Sequence, residues 1–247
     1  MKVFPHLCHD MSAVSIRQLW SRAWDLFKVN WLLLLGLLVG LLVLYVIVSF
    51  LIPDIGGLIT VTLLSPVLVR AGYLVARQGQ SSFGEAFGDI SLLLKVLVYQ
   101  FILLLIPGIL IGLGYVLVLG SATAELSEAS MEGGYGGMRG SMVFSGTGGI
   151  LFWLGQILLL ILSLFGWAGP YAILSGRAGI SSAIGQSFSL TAQNFGTVFV
   201  AFLSYIGLAI LGLLLCVIGL LVVGSMWYVF SPLLYLALTG EEGVPHA

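Results

Sequence analysis

From Trp31 to Ile52 the chain carries no charged side chain and no proline. A bilayer-spanning helix needs about 20 consecutive, mostly apolar residues to cross a hydrocarbon core of about 30 Å, and this run meets that length. Further runs follow, from Leu58 to about Ala76, Leu92 to Leu119, and Ile150 to about Ser175. The segment Phe195 to Leu238 is almost continuously apolar and long enough for two spans joined by a turn near Gly219 or Gly224. The sequence therefore predicts an all-α, polytopic integral membrane protein with six transmembrane helices. Composition agrees: 60% of the 247 residues are hydrophobic and 8% are charged, against roughly 25% charged in soluble domains. Nine basic and ten acidic side chains cannot keep so much apolar surface in water. A soluble enzyme, a disordered chain and a secreted disulfide scaffold are excluded, and a net charge of −1 gives no nucleic-acid footprint. Cys8 and Cys216 make no disulfide framework. The first apolar run is too long for a signal h-region and no A-x-A site follows, so it reads as an uncleaved span.

Basic residues orient the spans. With six crossings, Lys2, Arg17, Arg22, Lys28, Arg70, Arg77, Lys95 and Arg177 fall on one side and only Arg139 on the other. Lys/Arg excess marks the cytoplasmic face. Both termini are expected in the cytoplasm, with the Gly- and Ser-rich loop 120–149 on the periplasmic or exterior side. Pro53-Asp54-Ile55-Gly56-Gly57 reads as the turn after the first span.

Ahead of the first span, Ile16, Leu19, Trp20, Ala23, Trp24, Phe27 and Trp31 follow helical spacing, with Arg17, Gln18, Arg22, Asp25 and Lys28 opposite. That is an amphipathic helix suited to the membrane interface, with Trp20, Trp24, Phe27 and Trp31 as interfacial anchors. The pattern returns before the third span (Phe83, Ala86, Phe87 and Ile90 against Glu85 and Asp89), where Ser82-x-x-Glu85 reads as a capping box. It returns before the fifth span, with Ile180, Ala183, Ile184 and Phe188 against Ser182, Gln186 and Ser189. Trp24 to Trp31 aligns with Phe188 to Phe195, matching Asn30-Trp31 to Asn194-Phe195. Each second span carries a proline after a small residue: Ser65-Pro66, Gly169-Pro170 and Ser231-Pro232.

These features predict three parallel repeats of amphipathic helix, span, span. They occupy residues 12–78, 81–177 (with the loop 120–149) and 180–240, between an N-terminal tail 1–11 and a C-terminal tail 241–247. Parallel repeats are related by an axis along the membrane normal. The layout, with Asn30-Trp31 and Asn194-Phe195 at the start of spans, resembles a large, mostly uncharacterised group of bacterial membrane proteins. That group is similar to the membrane domain attached to some glycerophosphodiester phosphodiesterases. The second copy departs from the pattern at Asp89-Ile90-Ser91, and no phosphodiesterase domain is present, so the resemblance implies a fold without an activity.

Chemistry-bearing residues are few. Arg70 lies about 10 Å deeper than Arg77 along a helix rising 1.5 Å per residue. An ionisable group in a span is a functional-site hypothesis; the plainer reading is a side chain that snorkels to lipid phosphate, and the functional one pairs it with Glu85, Asp89 or an anionic ligand. Arg70, Arg77, Lys95, Gln100 and Gln156 are the candidate lipid- or ligand-contacting residues, with Gln100 and Gln156 able to hydrogen-bond across helices. Gly36-x-x-x-Gly40 and Gly108-x-x-x-Gly112 offer close helix approach, and Pro107-Gly108 predicts a kink. His6, Cys8, His9 and Asp10 match no zinc pattern. With no catalytic set, metal or cofactor motif in view, the expected role is that of a non-enzymatic scaffold, assembly factor or accessory subunit of a membrane complex. Its expected partners are membrane lipids and other membrane proteins, met through glycine-rich faces or the loop 120–149. The alternative is a transporter, channel or lipid-translocating protein.

Overall fold

The computed structural model describes residues 15–51, 56–131 and 146–241. Among these, every regular element is an α-helix: α1 (Ile16–Leu51), α2 (Gly56–Gln78), α3 (Phe83–Phe87), α4 (Ile90–Met131), α5 (Thr147–Gly166), α6 (Gly169–Leu174), α7 (Ile180–Gln193), α8 (Phe195–Leu214) and α9 (Cys216–Thr239). Among the described residues five stretches are long and apolar enough to cross a membrane: Ile16–Leu51, Ile90–Val118, Thr147–Leu174, Phe195–Leu214 and Ile218–Thr239. The chain is thus a helical protein with the architecture of a multi-pass membrane protein. Pro53-Asp54-Ile55, the tail cluster of His6, Cys8, His9 and Asp10, Arg139 and the C-terminal tail beyond Glu241 lie outside the described residues.

The helices fall into two compact units, Met1–Tyr99 with Leu164–Ala247, and Gln100–Ser163. At the centre of the first is α2, packed against α1, α3, α6 and α9. It buries Val67, Leu68, Val69, Ala71, Tyr73, Val75 and Ala76. Val67 and Ala71 share a cluster with Ala86 of α3, flanked by Leu37 and Leu93. The helix is less apolar than its neighbours, carrying Thr60, Thr62, Ser65, Arg70 and Arg77. A helix packed against α1, α3, α6 and α9 has less of its surface left to face lipid.

Each predicted junction between amphipathic helix and span is a backbone feature. In α1 the helix breaks at Asn30 (φ −111°, ψ 16°). Between α7 and α8 the same break falls on Asn194 (φ −120°, ψ 29°). Both side-chain amides donate to the carbonyl four residues back, Asn30 to Leu26 at 2.9 Å and Asn194 to Leu190 at 3.0 Å. At Asn194 the same carbonyl also accepts the Asn194 backbone amide at 3.1 Å, so the side chain adds a second bond to the last turn before the break. Burial follows the sequence alignment too: Ala23 pairs with Ser187, Phe27 with Thr191 and Leu34 with Val198, all buried. The boundary between α3 and α4 is built differently, with Asp89 there and its carboxylate accepting the Leu92 amide. The short α3 opens with the predicted capping box, in which the Glu85 amide donates to Ser82 Oγ and the Ser82 amide donates to the Glu85 carboxylate.

Pro66 and Pro232, inside their helices, each leave one carbonyl without its intrahelical donor, because proline has no N–H. Pro170 instead lies in the first turn of α6, and the Gly166 carbonyl that ends α5 accepts the Tyr99 hydroxyl at 2.7 Å. Pro66 frees the carbonyl of Thr62, which accepts Ser65 Oγ at 3.4 Å. Pro232 frees that of Tyr228, which lies against Gly72, where an added Cβ would come within 2.6 Å of the Tyr228 carbonyl carbon. Beyond the proline, each of these segments ends at a left-handed glycine: Gly79 (φ 85°), Gly176 (φ 76°) and Gly240 (φ 69°). Such a residue closes a helix because glycine has no Cβ to clash there.

Several boundaries differ from the sequence reading. The stretch from Gly120, expected to begin the exterior loop, continues as α4 to Met131; Ala, Glu, Leu and Ser there are adequate helix formers, and residues 132–145 lie outside the described set. The fourth span is divided at Trp167-Ala168, ahead of Pro170 near the start of α6. The last turn falls at Leu215 rather than Gly219 or Gly224. Gly212 and Gly219 instead face one another across the α8–α9 crossing, where a Cβ on Gly212 would stand 3.0 Å from the Gly219 carbonyl. Glycine serves here for close approach of backbones, not for turning.

In the second unit the contacts again run through glycine, but not through the predicted pairs. A Cβ on Gly114 would lie 2.5 Å from the Phe152 amide, and one on Gly155 would lie 2.6 Å from Ile111 Cγ1. Gly108 and Gly112 meet no neighbour within 4 Å, nor does Gly40, while Gly36 faces the Phe83 ring.

Candidate functional site

Arg70 projects from the middle of α2 and donates from Nη1 to the backbone carbonyl of Asp89 at 2.9 Å. Its head group is thereby tied to the turn between α3 and α4. The Asp89 carboxylate faces the other way, accepting the Leu92 amide (3.2 Å) and the Ser91 hydroxyl (2.9 Å) at the start of α4. These bonds, with the Arg70 charge adding to them, hold the Asp89 carboxyl below its ordinary value. The arrangement brings together Arg70 and Asp89, one of the two acidic partners considered for it, through main chain rather than through a carboxylate. Glu85 is occupied by its capping box. Arg77 is exposed, with Nη1 3.3 Å from Tyr73 Oη and the guanidinium 6.0 Å from the ring centre. Lys95 is exposed on α4, and Gln100 and Gln156 are partly exposed on α4 and α5.

The aromatic anchors divide into two pairs. Trp20 turns inward: its indole stacks on Phe230 with centroids 4.0 Å apart, and Nε1 donates to Ser204 Oγ at 2.8 Å. Trp20 is half-buried and Phe27 is buried. Trp24 and Trp31 stay exposed, at 44% and 52%. Helical periodicity identified one aromatic stripe; it could not say which rings the later helices α8 and α9 would cover.

The same limit applies to α7. Its buried face is Ala183, Ser187 and Thr191, whereas the sequence pointed to Ile180, Ala183, Ile184 and Phe188. The hydroxyls are buried because the break before α6 needs them. Ser187 Oγ accepts from the Ala168 amide (3.1 Å) and donates to the Phe165 carbonyl (2.7 Å), and Thr191 Oγ1 accepts from Trp167 Nε1 (3.1 Å). An interrupted helix exposes polar backbone that must be bonded when it is away from water. Tyr171, in α6, bonds Ser231 Oγ at 2.6 Å, and Ser231 also donates to the Trp227 carbonyl.

Alongside this junction runs an open cleft of about 450 Å³. Its polar lining comes from Arg177, Gln186, Ser189, Gln193, Tyr235 and Thr239, and its floor from Ala168, Ala172 and Leu190. Arg177 Nη1 pairs with Glu241 Oε1 at 3.0 Å. None of Arg70, Gln100 or Gln156 lines it. The sequence hinted at the cleft only through the polar flank of α7. Among the described residues, no group of three or more His, Cys, Asp or Glu side chains could hold a metal ion. No family model, no curated protein and no solved structure matches this chain.

Proposed function

We propose that the chain is a six-span protein of a bacterial inner membrane, with both termini cytoplasmic, acting as a non-enzymatic scaffold, assembly factor or accessory subunit of a membrane complex. In this reading α2 is the sixth crossing, enclosed by α1, α6 and α9 and so relieved of the need to face lipid. Three parallel repeats build the protein. The matched breaks at Asn30 and Asn194, the three prolines and the three left-handed glycines support that construction. The N-terminal part of α1, together with α3 and α7, rests at the cytoplasmic interface, where the exposed Trp24, Trp31, Phe83 and Phe87 meet lipid.

The observation that carries the scaffold role is the α4 face in the second unit. Gly108 and Gly112 have no neighbour there, between exposed Leu105, Ile109 and Leu113. Small residues one turn apart on an apolar helix allow a second helix to approach closely, and the hairpin's own crossing uses Gly114, Gly148 and Gly155 instead. The test is purification of the full chain in mild detergent with identification of co-purifying membrane proteins. A stoichiometric partner lost on Gly108→Leu and Gly112→Leu supports the role. A chain that purifies alone and by itself carries a solute or lipid flux in vesicles overturns it in favour of transport.

A further inference from the structure

The cleft beside α7 lies at the ends of two spans. Gln193 closes α7, two residues before the span Phe195–Leu214 begins, and Thr239 is the last residue of the span Ile218–Thr239. A recess at that level lies where phospholipid head groups lie. Its volume of about 450 Å³ is within the range of small-molecule sites, roughly 300–1,000 Å³. Its lining carries one charge, Arg177, and no acidic side chain. Glu241 takes Nη1 of that guanidinium from outside the lining, and the guanidinium keeps further N–H donors in its planar fork. Gln186 and Gln193 add amide donors from exposed positions on α7, one of which is shared with Ser189 Oγ at 2.8 Å. Behind these polar groups lie Ala168, Ala172 and Leu190. A cation with forked donors, amides beside it and an apolar floor matches a phosphate oxygen pair attached to a greasy body.

We infer that this cleft binds a phosphate group, with Arg177 as its charge partner and Gln186 and Gln193 as hydrogen-bond donors, and that the phosphate belongs to a membrane phospholipid. The inference rests on the membrane reading above and is independent of the scaffold role.

The full chain, delipidated in a maltoside detergent, is titrated with phosphatidylglycerol and separately with inorganic phosphate, and retained lipid is read by native mass spectrometry. Arg177→Gln is expected to lower phosphatidylglycerol retention about tenfold, the change that about 1.4 kcal/mol produces. Gln186→Leu, which leaves the Arg177–Glu241 pair untouched, should lower it in the same direction. Ser182→Ala, exposed on the same helix but outside the lining, should leave it unchanged. Displacement of the lipid by inorganic phosphate at equal concentration keeps the phosphate chemistry and assigns its source to a soluble anion. Full retention in both Arg177→Gln and Gln186→Leu, or no retention by the unaltered chain, overturns the site. Alkaline extraction of membranes separates the two readings: release of the chain defeats the membrane assignment, whereas a chain that stays in the membrane but ignores the lipid defeats only the cleft.

Discussion

Gly72 offers the sharpest test of how the central helix is held. The Tyr228 carbonyl, deprived of its intrahelical donor by Pro232, lies against Gly72, and an added Cβ would stand 2.6 Å from the Tyr228 carbonyl carbon and 3.3 Å from its Cβ. The obstructing atoms are main chain, so no rotamer change relieves them. Overpacking of a well-packed interior costs about 1–3 kcal/mol, and a backbone clash belongs at the upper end. Alanine returns about 1 kcal/mol of helix propensity over glycine. The net expectation for Gly72→Ala is a loss of about 2 kcal/mol, a fall in Tm of about 4–8 °C for a chain of this length. Thermal unfolding in detergent measures it. The control is Gly207→Ala in α8, where a Cβ meets nothing within 4 Å and stability should hold or rise slightly. Adding Pro232→Ala to Gly72→Ala should recover part of the loss, since the new N–H can draw the Tyr228 carbonyl back into α9 and couple the two sites. A Gly72→Ala protein as stable as the Gly207→Ala control would refute the reasoning.

Asn30 and Asn194 share a break but not a burden. Asn30 also donates to the Gly79 carbonyl and accepts the Ser81 amide, so Asn30→Ala should cost about 1–3 kcal/mol through unpaired buried groups and exceed the cost of Asn194→Ala in the same melts. Removing the Trp20–Ser204 bond with Ser204→Ala should cost about 0.6 kcal/mol, the average for such bonds in membranes, and shift the Trp20 fluorescence; a cost above about 2 kcal/mol would mean that the serine does something else. Asp89 has its carboxyl held low, so the stability it adds is present above its ordinary value of 3.8 and is lost as the pH falls through its lower folded value. The protection factors of the Ser91–Leu93 amides, taken against the intrinsic exchange rate at each pH, should therefore fall on acidification in the native chain and stay flat in Asp89→Asn.

Much of this architecture was legible in one dimension. The alignment of Trp24–Trp31 with Phe188–Phe195 put Asn30-Trp31 and Asn194-Phe195 at the entry to spans, and the helix breaks fall on those asparagines. The Ser82–Glu85 box was readable because it acts locally. What stayed hidden depends on distant partners. Ser187 and Thr191 lay outside the apolar face read for α7, and only the Trp167-Ala168 break supplies the donors and acceptors that bury them. Trp20 looked like a lipid anchor until Phe230 arrived from near the far end of the chain. The glycine pairs at regular spacing were visible, yet the ones that bring backbones together (Gly72, Gly114, Gly155, Gly212) are those whose partner helix happens to cross there. The cleft drew only a faint signal, since Arg177, Gln193 and Thr239 come from three separate segments.

The carbonyls left open near the prolines bear on how such a protein is assembled. A newly inserted first hairpin presents Gly72 to a neighbour that has not been synthesised, and the Gly166 carbonyl waits on a tyrosine from another helix. On the proposed reading of three repeats, neither hairpin can reach its final packing by itself, so the units are not interchangeable beads. Cutting the chain after any one of them should leave a fragment with its seams open, and the last pair of helices to enter the bilayer is the one that closes the structure.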